Sequence, residues 1–139
     1  MKTVYDLKTA LADDPARVEA TQKLTLDATR PLMGLAGSYG LFGSAEWWES
    51  LNSGKIPTKI YEGVIESVQF EGMNNEGRSF TLVQADTEPY TYSCVANQKN
   101  NLRIYEVGRK ARVIVFSERK KNGDALDMVW KVEIGGMGE

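Results

Sequence analysis

The sequence predicts an α+β protein in which a helical N-terminal arm precedes a five-stranded antiparallel β-barrel. Two observations support this: short runs of alternating apolar and polar residues fill the chain from residue 58 onward, and a capped helix start lies at 13–15. At 139 residues the chain has the length of one domain. The expected parts are a helical arm packed on the barrel, the barrel itself and a disordered tail, at 1–57, 58–134 and 135–139.

Five strands are predicted because a half-buried strand alternates apolar and polar side chains. These strands are residues 60–70, 80–85, 90–95, 111–116 and 126–134. In the last one every second residue is apolar from Leu126 to Ile134, which predicts one buried face and places Val129 on the opposite face. The almost continuous apolar run at 111–116 is typical of a central strand.

Turn signals separate these strands. The polar segments 74–77, 86–89 and 120–123 contain Asn, Gly or Pro and predict chain reversals. Gly63 predicts a bulge or bend in the first strand. One longer connection, 96–106, lies between the third and fourth strands. This order resembles an OB-fold, whose closure removes the exposed edges of a sheet, and an SH3-like barrel is the alternative.

The first predicted helix of the arm begins after Asp14, a capping carboxylate, with Pro15 at its first position. We expect it to extend to about residue 30, where Pro31 interrupts it. Three apolar residues that follow are expected to pack on the barrel: Leu32, Met33 and Leu35.

The second predicted helix covers 45–52, with Ser44 as its cap and Gly54 after its end. It carries Trp47 and Trp48 next to each other. Neighbouring helical residues are about 100° apart around the axis, so both indoles cannot point into one core. We expect one to be buried and the other to lie in a groove or an interface.

Composition narrows the possible chemistry. The chain has no histidine, which excludes Ser-His-Asp catalysis, Cys-His catalysis and imidazole metal sites. Two carboxylate pairs, Glu62 with Glu66 and Glu46 with Glu49, have spacings compatible with acid–base chemistry, but such charges are more often solvated surface groups. We therefore predict no catalytic residue, metal or cofactor, and keep a carboxylate-based enzyme as the second alternative.

The cellular setting is predicted from similar considerations. The single Cys94 cannot form an internal disulfide, and its position after two alternating tyrosines favours a buried, unreactive thiol. No run of about 18 apolar residues could cross a bilayer, and residues 1–10 lack the apolar core of a secretory signal. We expect a cytoplasmic protein without a membrane partner.

Charge is unevenly distributed along the chain. Residues 99–121 contain eight basic and two acidic side chains, a net charge of +6, so the remainder carries −8 to reach the total of −2. The candidate residues for an anionic partner are Arg109, Arg112, Arg119, Lys120 and Lys121. With Tyr90 and Tyr92 nearby, this strip is compatible with single-stranded nucleic-acid binding. The sequence pI of about 5.3 argues against that function and favours an intramolecular or interfacial role for the basic residues.

Residues 40–57 read Gly-Leu-Phe-Gly-Ser-Ala-Glu-Trp-Trp-Glu-Ser-Leu-Asn-Ser-Gly-Lys-Ile-Pro. This block resembles a family of small bacterial proteins of unassigned function, and the likeness extends more loosely over 61–67. The resemblance implies a compact bacterial protein and brings no activity with it. A small acidic chain without evident catalytic residues also resembles inhibitory and immunity-type proteins.

We predict a non-catalytic binding module whose partner is another protein or its own copy, with single-stranded nucleic acid as the alternative. The asymmetric charge favours such a role. So does the first predicted helix, whose few apolar residues, among them Val18, Leu24 and Ala28, form only a thin stripe. The candidate interface residues are Trp47 and Trp48 first, and then the tyrosines and basic side chains named above.

Overall fold

The computed structural model of the chain describes residues 1–71, 77–84 and 88–137. Its strands, numbered in chain order β1 to β6, are Lys2–Asp6, Thr58–Glu71, Gly77–Val83, Tyr90–Ser93, Arg109–Arg119 and Ala125–Met137. Its α-helices, α1 to α3, are Leu7–Ala12, Pro15–Leu26 and Ala45–Asn52. A 3₁₀ helix, Lys99–Ile104, follows β4 within the predicted long connection. The α+β class is confirmed.

The strands form one six-stranded sheet in the order β1-β6-β5-β2-β3-β4. The pairs β1–β6, β2–β3 and β3–β4 are antiparallel. The prediction of five strands was wrong because it missed β1, a short segment whose pairing with β6 no local pattern reveals. Among the described strands the order is linear, with β1 and β4 at the edges. The predicted closed barrel, OB-like or SH3-like, is therefore replaced by an open sheet.

One residue covers part of the β1 edge. The backbone N–H of Asn97 donates to the carbonyl of Val4 at 3.0 Å. Its side-chain Oδ1 accepts from the Asp6 N–H at 2.8 Å, and its Nδ2 donates to the Asp6 carbonyl at 3.1 Å. Asn97 thus pairs backbone groups that would otherwise offer a template for edge-to-edge association.

The chain divides into two compact units. Unit 1 contains Met1–Leu7, Ile60–Ile114 and Trp130–Glu139, and unit 2 contains Lys8–Lys59 and Val115–Val129. The core of unit 1 consists mainly of Val4, Leu7, Ile65, Phe80, Leu82, Tyr105, Ala111, Val113, Val132 and Ile134. The core of unit 2 consists mainly of Leu11, Leu35, Phe42, Trp47, Leu51, Ile56, Val115, Phe116 and Val129.

Strand β2 shifts its register against β3 between Ile65 and Ser67. The bulge or bend at Gly63 stays a prediction, because the paired positions of β2 and β3 begin at Val64 and Val83. Gly63 is required for a steric reason. A Cβ atom at this position would lie 2.4 Å from the carbonyl oxygen of Val83, closer than any real contact. The absence of a side chain therefore lets the two strands approach each other here.

Helix α2 begins as predicted, since Asp14 Oδ1 accepts from the Arg17 N–H at 3.1 Å. It ends at Leu26, four residues before the predicted end. The carboxylate of Asp27 accepts from the N–H and hydroxyl of Thr29, and this local turn competes with helix continuation. The helix has no buried residue.

Two of the three apolar residues that follow α2 do not pack as predicted. Leu32 and Met33 are 67% and 51% exposed, whereas Leu35 is buried. Residues 30–33 instead form a surface segment between α2 and the buried Leu35.

Helix α3 has the predicted bounds, and Ser44 Oγ accepts from the Trp47 N–H at 3.2 Å.

The burial of β5 and β6 departs from strict alternation. Val115 and Phe116 are both buried, and so is Val129, which was predicted to lie on the exposed face of its strand. Leu126 and Met128 are only half-buried. Strand β6 continues to Met137, beyond the predicted end at residue 134. The turns predicted at 74–77 and 86–89 lie largely outside the described residues. No helix in the described ranges has the length and apolar character needed to cross a membrane.

Candidate functional site

Trp47 is the centre of an aromatic cluster in unit 2. Its side chain is fully buried, and its ring makes edge-on contacts with Phe42, Trp48 and Phe116 at centroid distances of 4.9, 4.8 and 5.5 Å. Trp48 is half-buried. Of the two adjacent tryptophans, Trp47 belongs to the core and Trp48 presents part of its ring to solvent.

A buried carboxylate accompanies this cluster. The Trp47 Nε1–H donates to Oε2 of Glu118 at 3.1 Å. Burial raises the pKa of Glu118 above its usual value, and the hydrogen bond from Trp47 opposes that rise. The sequence analysis did not single out Glu118. Buried and less buried residues alternate along β5 up to Val115, but Val115 and Phe116 are both buried, and this shift by one residue brings Glu118 onto a buried position.

The two predicted tyrosines lie in unit 1 on the face of the sheet that carries Phe80 and Leu82. Tyr92 pairs with Phe80, and Tyr90 pairs with Leu82. Tyr61 stacks on Tyr90 at 4.0 Å, and Tyr90 stacks on Tyr92 at 5.7 Å. Both predicted tyrosines are half-buried, so their rings serve largely as core-facing side chains.

Two arginines of the predicted basic strip form ion pairs within unit 1. Arg112 contacts Glu62 at 2.7 Å and Glu133 at 3.4 Å, and these carboxylates raise its pKa. Arg109 contacts Glu106 at 2.8 Å. Glu62, one of the predicted acid–base candidates, is therefore engaged with an arginine.

The other three residues of the strip lie in unit 2 and differ in their contacts. Lys121 Nζ donates to the carbonyls of Leu24, Asp27 and Arg30 at 2.6, 3.2 and 3.2 Å, at the end of α2. Arg119 donates to a carbonyl in its own hairpin turn. The side chain of Lys120 has no polar partner among the described residues. Of the five candidate cations, Lys120 is thus the one without such a contact in the described part of the chain.

Two other candidate reactive groups are the thiol of Cys94 and the carboxylate pair of α3. Cys94 is half-buried, and burial raises the pKa of its thiol to about 11, so it is protonated at neutral pH. Glu46 and Glu49 are exposed on α3. In the described part of the chain, no group of three or more acidic or cysteine side chains is arranged to hold a metal ion.

Unit 2 contains a groove that the sequence did not predict. Its cavity has a volume of about 380 Å³. The apolar walls come from α2, the segment after it and strand β6: Leu24, Leu35, Phe42, Leu126 and Met128. Arg17 and Lys120 add two cationic side chains to the lining. The only local signal was the alternation of Leu126 and Met128, which predicted a fully buried face.

The segment beside this groove is held close to the end of β5. The Gly34 carbonyl accepts from the Lys121 N–H at 2.9 Å, and the Ala36 N–H donates to the Arg119 carbonyl at 3.0 Å. Gly34 has φ +88°, and a Cβ there would lie 2.7 Å from Leu24 Cγ. Glycine therefore permits both the backbone conformation and the close approach to α2.

Comparison with known proteins identifies the family. The family model for immunity protein RhsI2 matches residues 1–133, a range that includes the block at 40–57 and every candidate residue described above. A search of curated proteins found no match. Since the family model covers nearly the whole chain, the chain belongs to the immunity protein RhsI2 family.

Proposed function

We propose that the chain is a non-catalytic immunity protein, which binds a toxin protein and blocks the toxin's activity by occupying its surface. The observation that carries this proposal is the family match over residues 1–133. The partner is then another protein, which agrees with the binding module predicted from the sequence.

The contacts of the polar side chains support this function. Arg109, Arg112 and Lys121 are committed to internal carboxylates or carbonyls. Unit 2 offers two accessible features, an apolar groove and the half-buried side chain of Trp48. Aromatic side chains, methionine and arginine are enriched in protein interfaces.

Protection of cells tests the biological part of the proposal. The protein encoded next to this chain is expressed as the candidate toxin in a bacterial host, with and without the chain. We expect growth to stop with the candidate alone and to resume when both are produced. The purified proteins should elute together from a size-exclusion column. If the neighbour is toxic and the chain neither protects cells nor binds it, the proposal is wrong.

A titration separates binding from enzymatic protection. The toxin's activity is followed at a fixed toxin concentration while the chain is added in increasing amounts. A tight stoichiometric inhibitor abolishes activity at about one equivalent, whereas an enzyme that inactivates the toxin or reverses its damage acts at much lower ratios. Full protection at about one hundredth of an equivalent would contradict the non-catalytic assignment.

A further inference from the structure

We propose that the groove of unit 2 is the docking site for a toxin segment that carries apolar side chains flanked by carboxylates. The inference rests on the proposed immunity function and adds to it a surface and a partner chemistry. It joins three observations: apolar surface of α2 and β6 that stays half-exposed around the cavity, two cations beside it without a polar partner in the described ranges, and contacts that hold α2 in place.

The first observation concerns packing. Helix α2 is 12 residues long and has no buried residue, although Leu24 contributes to the wall of the groove. Opposite it, Leu126 and Met128 are half-buried where strand alternation predicts full burial. An isolated helix of this length is marginal in water, and its stability depends on tertiary contacts. A bound apolar side chain would bury these surfaces on both sides of the cavity.

The second observation concerns charge. The guanidinium of Arg17 and the ammonium of Lys120 have no polar partner within the described ranges, and no acidic residue lines the groove. The nearby carboxylate of Glu19 is paired with Lys23 at 2.9 Å. Two unpaired cations beside an apolar cavity complement carboxylates and disfavour a basic segment.

The third observation concerns rigidity. The Lys121 ammonium binds three carbonyls at the end of α2, and Gln22 Nε2 donates to the Phe42 carbonyl at 2.8 Å. These contacts hold the helix beside the groove although it lacks core side chains. A site held in place before binding loses less conformational entropy when the partner docks.

Two substitutions test the groove without removing core side chains. Ala20 is an exposed lining residue, so Ala20→Trp places an indole in the cavity. Arg17→Glu reverses one of the cations and adds a favourable charge to the first turn of α2. Ala16→Trp and Lys55→Glu are the matched controls, since both residues are exposed in unit 2 outside the lining, Ala16 lies on α2, and Lys55→Glu makes the same charge change as Arg17→Glu.

Binding of each variant to the toxin is measured by titration calorimetry, and folding is checked by circular dichroism. We expect Ala20→Trp to weaken binding about tenfold or more and Arg17→Glu by several-fold, with both controls near the wild-type affinity. The Arg17→Glu effect should diminish at high salt. Equal affinities for all four variants would reject the groove while leaving the immunity function intact. Failure of wild-type binding would reject both.

A photo-crosslinking side chain placed at Thr21 identifies the occupant. Mass spectrometry should locate the cross-link in a toxin segment containing apolar residues with Asp or Glu nearby. Changing that acidic residue to Lys should restore binding to the Arg17→Glu variant. A basic cross-linked segment would overturn the proposed chemistry. Cross-links between two copies of the chain, with a dimer that Ala20→Trp dissociates, would instead assign the groove to self-association.

Discussion

The indole of Trp47 donates to the carboxylate of Glu118 while both side chains are buried in unit 2. The hydrogen bond links α3, which contributes the indole, to β5, which contributes the carboxylate. A buried carboxylate has a high desolvation cost that one neutral donor offsets only in part. Glu118 is therefore a source of pH-dependent stability in this protein.

Replacing Glu118 with Gln should stabilise the protein more at neutral than at acidic pH. The folded-state pKa of Glu118 lies above its usual value of 4.5, so the folded protein holds this proton more strongly than the unfolded chain. The contribution of Glu118 to wild-type stability must then fall as pH rises through the interval above 4.5. Glutamine cannot ionise, yet its amide oxygen still accepts from Trp47. Urea unfolding of both proteins at about pH 4 and about pH 7 measures the difference.

The Glu118→Ala variant separates charge from hydrogen bonding. It removes the acceptor, leaves the Trp47 N–H unpaired and should lower the free energy of unfolding by about 1–3 kcal/mol relative to the Gln variant. A Gln variant that loses stability relative to wild type as pH rises would show that the folded protein favours ionised Glu118.

Replacing Lys121 with Met should loosen the end of α2. The ammonium contacts three carbonyls there, and the loss of charge-assisted hydrogen bonds should reduce the free energy of unfolding by about 1–2 kcal/mol. Hydrogen exchange should accelerate over residues 22–30. Lys120→Met is the control, because it removes a neighbouring ammonium without a described polar partner. Equal exchange in the two variants would contradict the capping role.

Gly63→Ala should destabilise the protein by about 1–3 kcal/mol, because its methyl group would collide with the carbonyl of Val83. Gly136→Ala is a matched substitution in β6, where a Cβ would meet no atom within 4 Å. We expect its thermal midpoint to stay close to wild type. If both variants lost similar stability, the effect at Gly63 would come from the conformational freedom of glycine and not from the close approach of the two strands.

Binding of a labelled single-stranded oligonucleotide should be weak at about 50 mM salt. Much of the basic strip is engaged: Arg112 pairs with Glu62 and Glu133, and Lys121 caps α2. Fluorescence anisotropy with increasing protein measures the affinity. Micromolar binding that disappears at about 200 mM salt would restore the nucleic-acid alternative.

Local patterns predicted helix α3 and five of the six strands. Ser44 and Gly54 bound α3 in the sequence, and the structure gives it the predicted limits. Strand β1 was missed because its pairing partners, such as Ile134 opposite Lys2, lie at the other end of the chain. The linear strand order likewise depends on long-range pairing, which turn residues do not specify.

The candidate site was predicted less completely than the fold. Adjacent positions on a helix required Trp47 and Trp48 to point in different directions, and the structure identifies Trp47 as the buried one. The groove was not predicted, because residues from α2 and β6 form it together and alternation assigns Leu126 and Met128 simply to a core. Its cationic character was also hidden, since charge along the chain does not reveal which cations are paired.

The sequence by itself determined the α+β class, the capped helix starts, most of the strands and the lack of histidine chemistry. These features depend on residue type and on periods of two to four residues, which act over short distances along the chain. Tertiary structure decided the pairing of β1, the open sheet, the Trp47–Glu118 contact, the ion pairs of Arg112 and the lack of a polar partner for Lys120 among the described residues. Each of these features depends on which distant segments of the chain contact each other, because those contacts decide which side chains are buried and which polar groups are paired.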